Sequence, residues 1–184
     1  MKKLSEMTLE ELWQLFPIIL AEHRAEWAEW FRMEAAFLAD LLPEAAITHI
    51  GSTAIEGIWA KPIVDILVET GEKADWAEVA RVLTEQAGYI CMAQSEKRMS
   101  FNKGYTPEGF AEKVFHLHLR RSGDRDEVLF RDYLNAHADE AKEYERLKLA
   151  LWKPYEHDRD GYTAPKADFV AECMKKARAE LAGQ

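Results

Sequence analysis

The chain has 184 residues, of which 48% are hydrophobic and 11% aromatic, enough for one core and too apolar for a disordered polymer. Its formal net charge of -9 excludes a broad phosphate-backbone footprint, so long nucleic acid is not an expected partner. A small anion remains possible in a local basic pocket, and the two distant cysteines, Cys91 and Cys173, support neither a disulfide framework nor a zinc knuckle.

The N-terminus turns acidic before any apolar run long enough for a leader. No run approaches the roughly 20 apolar residues of a membrane span, so a cytoplasmic chain without membrane contact is expected. Thr8-Leu9-Glu10-Glu11 has capping-box spacing and predicts a helix up to Pro17, followed by a short extended piece at 18–20. Residues 25–42 place Trp27, Trp30, Phe31, Glu34, Phe37, Leu38 and Leu41 at helical spacing, and Pro43 ends that helix. Strands are expected at 47–50 and 63–69. Asp75-Trp76-Ala77-Glu78 opens another helix, ending near Gly88. Weaker strands follow at 89–93 and 99–102, then a loop at 103–109 on its turn residues. In 114–119, Val114, His116 and His118 alternate with Phe115, Leu117 and Leu119, which reads as a strand. Helices are expected at 127–136, 139–151 and 166–181. No repeat or linker divides the chain, so one domain over residues 1–184 is expected. Its class is α/β (α+β): a mixed β-sheet flanked by helices, with a helical C-terminal part.

The stretch "THIGSTAIEGIWAKPIVDILVET" raises a chemical question. Gly51 and Ser52 directly follow one strand, and Asp65 interrupts the next apolar one. A glycine turn with the hydroxyls of Ser52 and Thr53 makes a phosphate cradle. A buried carboxylate needs a cation or hydrogen-bond donors, and Mg²⁺ would compensate Asp65 while bridging phosphates. The plainer alternative is that Ser52 caps a helix and Asp65 accepts bonds from backbone or from Lys61.

"HIGSTAIEGIWAKPIVDILV", "FHLHL" and "LFRDYLNAHADEAKEYERLKLAL" occur in that order, and the match fades into Lys166-Ala167-Asp168-Phe169. On these motifs the chain, from about Trp27 onward, resembles the GrpB-like family of the nucleotidyltransferase-fold superfamily. The resemblance implies a mixed sheet with a Gly-Ser turn and an acidic pair on the next strand. In catalytic members the serine holds the nucleotide phosphates, the carboxylates hold Mg²⁺, and a nucleoside monophosphate moves to an acceptor hydroxyl. Gly51, Ser52 and Asp65 match this pattern, but the second acidic position falls on Leu67. One aspartate cannot easily hold the two cations of such a transfer, so whether the chain is an enzyme stays open.

His116 and His118, at i and i+2, share one strand face. With Asp65 they could bind a divalent metal such as Mn²⁺ or Zn²⁺, or handle phosphate and a proton near neutral pH. They could equally be half-buried polar positions bonded to backbone. Lys61 lies within the signature, and Arg131 and Lys148 match family positions on helices; all three are candidate phosphate or nucleotide contacts. Ion pairing is the alternative role for the two helical residues.

Three functions follow. One is a metal-assisted nucleotidyltransferase using Asp65, His116 and His118 as catalytic and metal residues, with nucleotide held at Gly51, Ser52 and Thr53. Another is a nucleotide- or phosphate-binding module that kept the cradle without the chemistry. The third is a metal-dependent hydrolase built on Asp65, His116 and His118. The oligomeric state is not legible.

Overall fold

Alternation places Val64, Ile66 and Val68 on one face of the strand that carries Asp65, and Asp65, Leu67 and Glu69 on the other. That strand is the second of five. β1 (Ala46–Ile50), β2 (Val64–Thr70), β3 (Ile90–Gln94), β4 (Arg98–Thr106) and β5 (Gly109–Arg121) form one sheet in the order β1-β2-β5-β4-β3. β2 and β5 run parallel, and the other pairings are antiparallel. The computed structural model describes residues 2–183; Met1 and Gln184, the ends of the expected 1–184 domain, lie outside the described residues.

Helices cover both faces. α1 (Leu9–Leu15) opens on the expected capping box, Thr8 with Glu11. α2 (Glu26–Leu41) buries Trp27 and Leu38 against Val64, Ile66 and Val68. α3 (Trp76–Glu85) is capped by Asp75, which accepts from the amides of Ala77 and Glu78; loss of such a cap costs about 1 kcal/mol. Its buried face is Val79, Val82 and Leu83. The opposite sheet face meets α4 (Asp126–Ala136), where Leu67 and Ile50 pack on Val128. α5 (Ala138–Trp152) and α7 (Ala167–Ala182) extend that layer through Tyr144, Cys173 and Ala177, which pack with Ile55 and Ile58. No helix of the described residues is long and apolar enough to cross a membrane.

Two expectations need correction. Residues 103–109 are not a loop: β4 runs to Thr106 and β5 starts at Gly109, leaving a tight hairpin turn. The glycine that suggested a loop, Gly104, instead serves a bulge, with φ of 93° and Lys113 backbone packed where a Cβ would stand. The segment after Gly51 forms only one 3₁₀ turn, Ser52–Ala54, instead of a helix. Residues 18–20 lie in no helix or paired strand, and the neighbouring Ala21 makes a single bridge to Ala60. A short helix, α6 (Arg159–Thr163), was not expected, because five residues leave no periodicity to read.

Candidate functional site

The site lies on the Asp65 face of β2 and β5, beneath residues of α5, of α6 and of the segment before α7. Parallel register sets Asp65 beside His116 and Leu67 beside His118, so both imidazoles fall on the Asp65 face. The sequence-level grouping of these three residues is therefore real geometry. The His118 Nε2 is 3.1 Å and the His116 Nδ1 3.6 Å from Oδ1 of Asp65.

Burial pushes the His116 imidazole down to about 4, so the ring is neutral near pH 7. The Tyr105 hydroxyl sits 2.8 Å from His116 Nε2, and Arg159 donates to the Tyr105 oxygen at 3.4 Å. With Arg159 as donor, the phenol proton is free for Nε2, which leaves the ring proton on Nδ1 facing Asp65. Burial alone would raise the Asp65 carboxyl. The His118 hydrogen bond, the two imidazoles and the Lys61 charge outweigh it and hold Asp65 below its ordinary value, so it is ionised.

A cavity of about 70 Å³ opens beside this group. Ser52 lines it from the turn, Asp65 and His116 from the sheet, and Lys61, Lys148 and Lys166 from the surrounding segments. The lysines rest on aromatic faces: Lys61 and Lys166 lie 5.8 and 4.1 Å from the Tyr162 ring centre, and Lys148 lies 4.7 Å from that of Tyr144. Lys148 also donates to the Trp59 carbonyl and is 2% exposed. Burial, then the charge of neighbouring lysines, pushes Lys148 down to about 7 and Lys166 down to about 8. Lys61 is lowered for the same reasons, burial first and then Arg159.

Several candidates stand elsewhere. The Thr53 hydroxyl does not face the cavity; it lies 2.9 Å from His49 Nε2 and is buried. His49 itself stacks on Phe31 and is a satisfied strand residue. Arg131 is also outside: it clamps the His49 carbonyl at 2.6 Å and the Asp132 carboxylate, so its donors hold the end of β1. His118 touches Asp65 without lining the cavity. Gly51, at φ 74°, brings the turn so close to Asp65 that a Cβ would collide with the carboxylate. Lys166, Tyr162, Tyr105 and Arg159 went unrecognised as site residues. Lys166 read as one more surface charge, although it begins the last matched family segment, and Tyr105 fell in the expected loop.

The donor set does not fit a Mg²⁺ pair. Leu67, at the second acidic position, is fully buried against Ile50 and Val128. Glu69 is spent on Arg125, 3.2 Å away. Asp65 is a lone carboxylate facing three lysines, and a cation there would meet more repulsion than attraction. Among the described residues, no three His, Cys, Asp or Glu side chains are placed to hold a metal ion. The nearest nitrogens of both histidines are turned onto Asp65.

Comparison with known proteins agrees with the fold. The family described as GrpB protein matches residues 17–176. The glutamate-rich protein GrpB of Alkalihalophilus pseudofirmus is 36% identical over 166 residues, 86% of this chain and 95% of that protein. A UPF0157 protein of Pseudomonas aeruginosa is 37% identical over 158 residues, which is 83% of this chain but 64% of that relative, so the chain spans less than two thirds of its length. The crystal structure of conserved protein GrpB from Enterococcus faecalis superposes with a TM-score of 0.74 at 28% identity, over 89% of this chain and 99% of that one. The Cid1 poly(U) polymerase matches 70% of this chain and 42% of its own, with a TM-score of 0.50 at 10% identity, a likeness of fold alone.

Proposed function

The chain belongs to the GrpB family, and from that premise we propose that it is a phosphate-binding module on a nucleotidyltransferase-like fold, which takes one phosphoryl group among Ser52, Lys61, Lys148 and Lys166. The observation that carries this reading is charge: three lysines and a single carboxylate line one small cavity. An anion relieves the mutual repulsion of the lysines and restores protonation to Lys148, so binding gains from the cost of the empty pocket. The cavity holds roughly two waters' worth of space at about 30 Å³ each, which suits one tetrahedral oxyanion and not a triphosphate.

Metal-assisted nucleotidyl transfer and metal-dependent hydrolysis draw less support. Both need acidic ligands where this chain has Leu67 and the imidazoles already turned onto Asp65. Ser52 keeps its role as a hydroxyl donor to the anion. His116 and His118 hold the Asp65 carboxylate, the one acidic group in the cavity lining.

The test is calorimetric titration of the full chain with inorganic phosphate, with and without Mg²⁺. Millimolar or tighter binding, unchanged by Mg²⁺ and weakened at least about tenfold in Lys166→Ala, is the expected outcome. Absence of binding in the wild type, or binding that requires Mg²⁺, would overturn the reading.

A further inference from the structure

A second cavity, of about 180 Å³, adjoins the lysine pocket and shares Lys61 and Ile63 with it. Its chemistry differs. Trp30 from α2 and Phe110 from β5 line it together with Ile19 and Pro62. Arg24 and Arg159 also line it, against the single carboxylate of Glu112. Arg159 is also close enough to the inner site for its charge to lower both Lys61 and His116, and it donates to Tyr105, which contacts His116. The two cavities are thus adjoining compartments with one lysine between them: an inner cationic one sized for a phosphoryl group, and an outer one with aromatic and aliphatic walls.

Resting on the phosphate-pocket reading, we propose that the ligand is a phosphate monoester with a flat aromatic end, the phosphoryl group lying among the lysines and the ring between Trp30 and Phe110. Size argues for a monoester. Both spaces are small beside the roughly 300–1,000 Å³ of common ligand pockets, which leaves no room for a polyphosphate chain and a ring together. The composition of the outer walls argues for the ring: aromatic and aliphatic side chains bind flat apolar faces, while the arginine forks offer donors to acceptors on the ring edge. An inorganic anion or a short polar ester would leave those walls wet, and the outer cavity would contribute nothing to its affinity.

The experiment compares phenyl phosphate, glycerol 3-phosphate and inorganic phosphate by titration calorimetry on the full chain. Wild type is expected to bind phenyl phosphate at least about tenfold more tightly than the other two, from burial of one aromatic ring. Ile19 lines the outer cavity and is 43% exposed, so Ile19→Glu adds a carboxylate there without disturbing the core. It should erase the preference for phenyl phosphate and leave inorganic phosphate binding within about twofold of wild type. Trp30→Ala should do the same if it folds, which circular dichroism establishes. Equal affinity of wild type for all three probes, or a preference that survives Ile19→Glu, overturns the aromatic compartment and leaves the lysine pocket standing. Failure of all three probes to bind overturns both.

Discussion

His118 and Asp65 meet across a parallel strand pair, Nε2 to Oδ1 at 3.1 Å. An ionised carboxylate has no proton to give, so the imidazole donates. The contact is local between neighbouring strands, and it holds one Asp65 oxygen against the His118 ring. A distinctive expectation follows for Asp65→Asn. The amide loses the charge that balances the lysines and weakens the His118 bond, so the fold should lose about 1–3 kcal/mol. At this chain size each kcal/mol lowers Tm by about 2–4 °C. Inorganic phosphate should nevertheless bind more tightly, because one repelling carboxylate is gone. A metal-ligand Asp65 would give the reverse, an apo protein at least as stable and a loss of ligand binding.

Anion affinity should fall with rising pH. A lysine attracts an anion only while protonated, and Lys148 and Lys166 lose their protons as pH passes about 7 and about 8. Binding of inorganic phosphate should therefore weaken several-fold between pH 6.5 and 9, with proton uptake on binding near pH 7.5. Titrations in buffers of different ionisation enthalpy measure that uptake. A flat profile over this range would remove the two lysines from the site.

Lys148→Met should stabilise the protein in a pH-dependent manner. The folded lysine titrates near 7, whereas the unfolded chain has the ordinary value near 10.4. Between these values the unfolded state binds a proton that the folded state does not, so wild-type stability from this group rises with pH. The penalty of the buried charge is complete below about pH 7. The variant should gain about 1–2 kcal/mol over wild type at pH 6, less whatever the unpaired Trp59 carbonyl costs. The gain should shrink toward pH 10, as read from Tm of both proteins.

Gly51→Ala should be severe for so small a change. Gly51 occupies φ 74° and ψ -175°, a region nearly closed to other residues, at a cost of about 1–3 kcal/mol. The added methyl would also collide with the Asp65 carboxylate. Urea unfolding should show a loss of at least about 2 kcal/mol. Gly57, also at positive φ but with no neighbour near its Cβ, provides the control: Gly57→Ala should cost about 1–2 kcal/mol, from the backbone alone.

Leu67→Asp restores the acidic spacing of catalytic superfamily members and should not restore chemistry. Leu67 is fully buried against Ile50 and Val128, so the change removes core contacts and buries a carboxylate. A loss of about 4 kcal/mol or more is expected in denaturant melts. A well-folded variant that transfers nucleotide with Mg²⁺ would contradict the binding-module reading.

Much of the frame was legible in the chain because its signals are local. Thr8 and Asp75 announce their helices through side chains that cap amides within three residues. The alternation of 114–119 marks a strand, and the i, i+2 spacing of His116 and His118 puts both on one face without knowledge of any neighbour. The terminal helices were expected within one residue of their ends, since each carries a buried stripe. Gly104 misled because a bulge and a loop use the same residue for the same backbone freedom.

By itself, then, the sequence determined the α/β class from residue identity and short-range spacing, and its resemblance to the GrpB family implied the Gly-Ser turn and the missing acid at Leu67. Only the tertiary structure decided what Asp65 faces. Lys61, Lys148 and Lys166 span more than a hundred positions; the family motifs single out the first two, Lys166 looks like any other surface charge, and nothing along the chain says that the three converge. The sheet register and the packing of α5 and the segment before α7 bring them around a single carboxylate. Electrostatic energy depends on distance through space, and 1/r between ammonium groups is not written in their separation along the chain. For the same reason Arg131 and Thr53 look like ligand contacts in sequence and are spent on His49 in the fold.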